Sequence, residues 1–90
     1  MAKAVVDPGE LRQFARDLKR FNTELARNAG AMQARFGALS QTWRDQEQRK
    51  FAEEFEQMMR SLARFTKVSD EHVPFLLRKA DRIEEYLSQR

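Results

Sequence analysis

Apolar residues recur at intervals of three and four along two long segments of the chain. The first segment runs from Leu11 to Leu39 and the second from Phe51 to Leu87, with a short polar stretch between them. Side chains three and four residues apart lie on one face of an α-helix, whereas a half-buried strand needs a period of two, which the sequence lacks. The sequence therefore predicts an all-α fold built from two long amphipathic helices.

Residues typical of helix N-termini predict where each helix begins. Asp7 and Pro8 are typical of an N-cap and of the first helical position. Thr42 and Asp45 fit a capping pattern for the second helix, and Ser40 is another candidate N-cap. We expect a single helical-hairpin domain, with the first helix at about 8–39, the turn at about 40–43 and the second helix at about 44–88. Because the connection is short, the two helices must fold back antiparallel.

Pro74 is the one irregularity in the second helix. A proline inside a helix removes the N–H that would bond the carbonyl of residue 70, so we expect a kink near Pro74 or a brief break around Ser69–Val73. Ser69 and Asp70 would then cap a restarted helix. Asn28, Ser69 and His72 fall in the apolar stripes, where polar residues are expected to fix the register of the helices.

The unequal helix lengths predict association with another chain. Counting outward from a turn near Gln41, Leu11 lies opposite His72, so the apolar residues after His72 have no cover within the chain. The candidate interface residues are Phe75, Leu76, Ala80, Ile83, Tyr86 and Leu87. A lone hairpin also buries only one face of each helix. We therefore expect two antiparallel hairpins to form a four-helix bundle, as a homodimer or as a heterodimer with a similar chain.

The composition excludes most enzyme classes. The chain has no cysteine, which excludes disulfides, thiolate zinc sites and thiol catalysis, and its single His72 leaves no histidine pair for a metal. Asp81, Glu84 and Glu85 alternate with cations on a helix, an environment unlike the dry pocket that general acid–base catalysis needs. We expect no catalytic residue, no cofactor and no metal site. The apolar run Val73–Leu77 is far shorter than the roughly 20 residues of a membrane span.

The positive charge is spread along the chain. Seventeen basic and 14 acidic residues give a net charge of +3, with the excess in the first half. This interspersed pattern is typical of a solvated helix face. A nucleic-acid-binding bundle remains a weaker alternative, and it would use Arg12, Arg16, Lys19, Arg20 and Arg27.

A short motif lies in the middle of the chain, between the two apolar segments. It consists of Trp43, Arg44 and Asp45, with Leu39 four residues before the tryptophan and Phe51 eight residues after it. A cysteine-free, all-helical chain of this length with such a motif resembles the WXG family, the small proteins handled by type VII secretion systems. The glycine of that family is Asp45 here, and aspartate tolerates turns and caps helices.

The family's acidic export signal, which follows the second helix, is not matched in this chain. Tyr86 lies at the expected place, but the residue four positions later is Arg90 rather than an acid.

The resemblance implies a non-enzymatic interaction module that acts as substrate, partner or targeting component of type VII secretion. Trp43 and the C-terminal helix would present a surface to an export ATPase or a larger effector. No cleavable signal peptide begins the sequence, so we expect a chain that is cytoplasmic as synthesised and, if exported, secreted uncleaved. The unmatched acidic signal favours the alternative, an intracellular adaptor or assembly scaffold without export.

Overall fold

The computed structural model describes residues 6–89, which form two α-helices and no strand. Helix α1 spans Pro8–Leu39 and helix α2 spans Gln46–Ser88. Helices account for 89% of the described residues, and the predicted all-α hairpin is confirmed. The body measures 68 × 23 × 16 Å, which is two helices wide and little more than one helix thick.

The connection between the helices begins as a tight continuation of α1. The backbone N–H groups of Thr42 and Trp43 both donate to the carbonyl of Leu39, at 3.2 and 2.9 Å. Because residues 40–43 are wound into this turn, helix α2 cannot begin before Asp45. The carboxylate of Asp45 accepts a hydrogen bond from the backbone N–H of Gln48 at 2.9 Å. Asp45 is therefore the N-cap of α2, and neither expected N-cap takes that position: Thr42 lies in the turn and Ser40 ends α1.

Pro74 does not interrupt α2. The helix is continuous from Gln46 to Ser88, so the break expected at Ser69–Val73 is absent. The side chain of Pro74 is exposed, while its neighbours Val73 and Leu76 face α1 and are half-buried. Contact with α1 on this inner side compensates for the hydrogen bond that the proline cannot make.

The two helices meet along a seam of residues spaced by three and four, with one gap of seven on α1. On α1 the seam contains Leu11, Ala15, Leu18, Asn22, Leu25, Ala29 and Phe36, and on α2 it contains Ala52, Phe55, Met59, Leu62, Thr66, Ser69, Val73, Leu76, Ala80 and Ile83, all buried or half-buried. Of the apolar residues described, only Ala15 and Ala80 are fully buried, because a single layer of helices has no second layer to cover it.

The polar residues of the seam differ in part from those expected. Ser69 lies in the seam as predicted, but Asn28 and His72 are exposed outside it, and Asn22 takes the central position. The amide Nδ2 of Asn22 donates to Ser69 Oγ and to Asp70 Oδ1, both at 2.9 Å. The Oδ1 atom of this amide is buried without a partner, so only Nδ2 is satisfied. A buried amide whose donor bonds form only in one alignment favours that register over its neighbours.

The register differs from the one expected from the sequence. Arg12 contacts Asp81, so the start of α1 lies opposite the segment around Ala80 and not opposite His72. The first hydrogen bond between side chains on opposite sides of the connection joins Ser40 to Gln48. The chain therefore reverses near Arg44 and not near Gln41. When the point of reversal moves by one residue along the chain, the residue of α2 that faces a given residue of α1 changes by two positions. Helix α1 thus covers α2 almost to its end, and the expected overhang after His72 is wrong.

The continuity of α2 predicts the effect of removing the proline. Pro74→Ala restores a backbone donor at an exposed position, so the free energy of unfolding should rise by about 1–3 kcal/mol. Chemical denaturation followed by circular dichroism measures this change. The matched control is Lys67→Ala, which is also exposed and lies one heptad earlier, and it should change stability by less than about 0.5 kcal/mol. A Pro74→Ala variant no more stable than the control would contradict this account of the helix.

Candidate interaction surface

The two broad faces of the hairpin, on either side of the seam, differ in their chemistry. One face carries ion pairs between the helices: Arg12 Nη2 lies 2.8 Å from Asp81 Oδ1 and also binds Glu84, and Lys19 Nζ lies 3.6 Å from Asp70 Oδ1. Hydrogen bonds to the two carboxylates raise the pKa of Arg12. On the other face the rings of Phe21 and Phe65 meet edge to face, with centroids 6.3 Å apart. We call these the ion-paired face and the apolar face.

Large apolar side chains cover the apolar face and are only half-covered by the chain. They are Phe14, Phe21, Met32 and Leu39 on α1, and Phe51, Met58, Phe65, Val68 and Phe75 on α2, each 39–56% exposed. Helical spacing puts them on the same side as the contact between Phe21 and Phe65, at intervals of one to three turns. A contiguous exposed apolar patch of this kind is typical of a protein–protein contact surface.

The residues predicted to form an interface are divided between the seam and the surface. Ala80 is fully buried against α1, and Leu76 and Ile83 are half-buried in the seam. Phe75 lies on the apolar face, and Tyr86 and Leu87 are exposed near the end of α2, at 64% and 38%.

Most of the apolar face was not predicted, because the spacing of three and four does not distinguish residues such as Phe14, Phe21 and Met58 from those that contact the other helix of the hairpin. The alanines at seam spacing, Ala15, Ala29, Ala52 and Ala80, were the available signal. They mark the line along which the helix backbones approach closely, so the bulky residues beside them lie outside it.

An aromatic cluster packs at the turn end of the hairpin. The ring of Phe36 lies 5.5 Å from that of Phe51 and 5.0 Å from that of Phe55. Trp43 is half-buried, with its ring centroid 6.2 Å from that of Phe51. Trp43 is therefore continuous with the apolar face through Phe51, while Arg44 next to it is exposed.

The charges of α1 do not form a free basic patch. Of the residues considered for nucleic-acid binding, Arg12, Lys19 and Arg20 each lie beside a carboxylate. The hydrogen bond from Arg20 lowers the pKa of Asp17. Residues 6–89 contain no cluster of metal-ligating side chains. Over the same part of the chain, neither helix is apolar enough over sufficient length to span a membrane.

Comparison with protein families decides the affiliation. The family described as WXG100, proteins of 100 residues with WXG, matches residues 4–86. The chain belongs to the WXG100 family. This confirms the resemblance carried by Trp43 and the two helices, and it associates the chain with type VII secretion. No curated protein and no solved structure matches the chain.

This WXG100 chain carries Asp45 at the third position of the motif, where the family name has glycine. The backbone of Asp45 has φ −82° and ψ −173°, an extended conformation that any residue adopts, so the turn does not require glycine here. Its carboxylate takes over a capping role that glycine lacks a side chain to perform.

Substitutions at Asp45 should distinguish the capping role of its side chain from any requirement of the turn for a particular residue. Asp45→Ala removes the hydrogen bond to Gln48 and should lower the free energy of unfolding by about 1 kcal/mol, whereas Asp45→Gly should cost only a few tenths of a kcal/mol. Both changes in the free energy of unfolding are measured by denaturation, with the helical content of each variant followed in parallel. If the glycine variant were the less stable of the two, the carboxylate would be doing something other than capping α2.

Proposed function

We propose that this WXG100 protein is a non-enzymatic interaction module that pairs with a second helical hairpin through its apolar face. The pairing surface is the nine-residue apolar face, and the product is a four-helix bundle. The paired protein acts as a substrate or partner of a type VII secretion system. The alternative without export, an intracellular scaffold, would use the same surface.

The observation that carries this proposal is the one-sided distribution of the exposed apolar residues. In the half of the hairpin away from the turn, one face is closed by ion pairs such as Arg12–Asp81, and the opposite face presents side chains like Phe14 and Phe75 to solvent. A second pair of helices laid on the apolar face would supply the missing layer and bury residues that are half-exposed in the single chain. The hairpin is thus half of a two-layer structure.

Trp43 gives the module a second feature for recognition. It lies at the turn and touches Phe51 at the edge of the apolar face. A partner hairpin laid on that face brings its own residues next to Trp43, so the paired form presents a composite surface that neither chain has alone. We propose that an export ATPase or a larger effector reads this composite surface.

A charge placed in the apolar face tests the pairing. Val68→Glu inserts a carboxylate where a second hairpin would exclude water, and it should abolish association with a copy or with a co-expressed WXG100 chain. The matched control is Ala63→Glu, an exposed position of α2 on the ion-paired side, which introduces the same charge and should leave association unchanged. Sedimentation velocity of the two variants, each checked for helical content, gives the comparison. Unchanged association of Val68→Glu would reject the apolar face as the pairing surface.

Secretion requires a separate measurement in the cell. The tagged chain should reach the culture medium in a strain with an intact type VII export ATPase and be retained when that ATPase is deleted. Trp43→Ala should reduce the secreted fraction while leaving pairing intact, because its ring borders the apolar face without occupying its centre. Retention of the wild-type chain inside cells with an active export system would favour the scaffold alternative.

A further inference from the structure

We infer that Met32 and Met58 form a reversible oxidation site, at which conversion of the two thioethers to sulfoxides prevents a second hairpin from binding the apolar face. This inference rests on the proposed function, in which that face pairs with a helical hairpin. It adds a chemical modification that controls the pairing. Three observations support it: the position of the two methionines, their exposure and the unreactive side chains around them.

The two methionines lie at the same level of the apolar face, one on each helix. The ring contact between Phe36 and Phe55, with centroids 5.0 Å apart, shows the local alignment of the helices. Met32 lies four residues before Phe36, and Met58 lies three residues after Phe55. Because the helices are antiparallel, both steps lead away from the turn, by about 6 and 4.5 Å at a rise of about 1.5 Å per residue. A partner laid on the face therefore covers both side chains together.

Both of these thioethers are open to solvent in the single hairpin. Met32 and Met58 are each 48% exposed. The third methionine among the described residues, Met59, is half-buried in the seam and lines a groove together with Leu25 and Leu62. Oxidation requires access of the oxidant to the sulfur, so it should follow this order of exposure. The hairpin thus presents two reactive thioethers on its pairing surface and shields one in its seam.

A peroxide is the oxidant that this step requires. The sulfur of methionine attacks one oxygen of hydrogen peroxide, the O–O bond breaks, and a sulfoxide and a water molecule form; the sulfur loses two electrons and the peroxide gains them. The other seven residues of the apolar face are phenylalanine, leucine or valine, which do not undergo this reaction. The chain has no cysteine that would react first. Methionine sulfoxide reductases reduce the sulfoxide back to the thioether, so the modification is reversible.

Oxidation replaces an apolar sulfur by a polar group with a hydrogen-bond acceptor. In the single chain each sulfoxide oxygen stays hydrated, because the side chain is half-exposed, and the hairpin should remain folded. In the paired form the same oxygen is buried among apolar side chains, and a polar group buried without a hydrogen bond is costly. Oxidation therefore weakens pairing without unfolding the hairpin. By linkage, pairing must in turn protect the two sulfur atoms from the oxidant.

Peptide mapping by mass spectrometry measures the order of oxidation in the full chain. After brief treatment with hydrogen peroxide, the tryptic peptide 28–35 reports Met32, and fragment ions of the peptide 51–60 separate Met58 from Met59. In the Val68→Glu variant, which should not pair, Met32 and Met58 should oxidise at least about fivefold faster than Met59. Pairing of the wild-type chain should slow the oxidation of the first two but not of the third. Oxidation of Met59 as fast as the others would overturn the inference.

Association measured before and after oxidation tests the control of pairing. Conversion of Met32 and Met58 to sulfoxides should raise the dissociation constant about tenfold or more, for pairing with a copy or with a co-expressed WXG100 chain. Sedimentation velocity over a concentration series gives the constant, and circular dichroism should show unchanged helical content. The double variant Met32→Leu and Met58→Leu keeps the volume and apolar character of the face, so it should pair equally well before and after the same treatment. The matched control, Met59→Leu, should lose pairing on oxidation as the wild type does.

The outcomes distinguish this inference from the proposed function. Treatment of the oxidised wild type with methionine sulfoxide reductases for both sulfoxide epimers should restore pairing, which would exclude irreversible damage as the cause. Pairing that persists in the fully oxidised chain would overturn the inference and leave the proposed function intact. An equal loss in the Met32→Leu and Met58→Leu variant would do the same, because that variant retains Trp43 and every other oxidisable residue. A wild-type chain that pairs with no hairpin before oxidation would reject both.

Discussion

Close contact along an alanine-rich seam, in a register favoured by one buried amide, determines the rest of this structure. Ala15 and Ala80 are completely buried where the helices approach, and Asn22 forms hydrogen bonds to Ser69 and Asp70 near the middle of the hairpin. Burying an amide is costly unless it is hydrogen-bonded, and a shift along the seam would remove both acceptors from Asn22. The cluster therefore contributes more to the choice of alignment than to the total stability.

The contacts on the two faces of the hairpin are consequences of that register. With Asn22 opposite Ser69, Arg12 can reach Asp81 and Glu84, and Lys19 comes near Asp70. The same alignment brings Phe21 against Phe65 on the other side. A shift along the seam would separate Arg12 from its two carboxylates and Phe21 from Phe65. The side on which each residue lies is set by its position around its own helix, and the polar cluster selects which residues meet on each side.

The sequence predicted the helices well because their signals are local. Asp7 and Pro8 marked the start of α1, and the spacing of three and four identified two helices without any knowledge of their packing. The register was not predictable in this way, because it depends on where the chain reverses. The bonds from Thr42 and Trp43 to the carbonyl of Leu39 move that point towards Arg44.

The candidate site was only partly predictable, because each helix carries two overlapping apolar stripes. Phe14 and Ala15 are neighbours in sequence, yet Ala15 is buried in the seam and Phe14 is 56% exposed. Its size and hydrophobicity predict that Phe14 is buried in the core. Close contact between two helices instead favours a small residue such as alanine at the buried position. Phe75, an expected interface residue, is exposed, but not because it lies beyond the end of α1, since α1 extends past it.

Under the proposed function, the shortage of fully buried apolar residues would link folding to association in this WXG100 chain. Two buried alanines and a half-buried seam leave much of the hydrophobic stabilisation of a domain of this length unrealised, and small domains have little to spare. A partner on the apolar face would bury Phe21, Phe65 and their neighbours and so stabilise the register that presents them. Under the proposed function, the surface that recognises a partner and the missing half of the core are the same residues. The stability of the hairpin would then depend on the concentration of its partner, as expected for any interaction confined to the folded state.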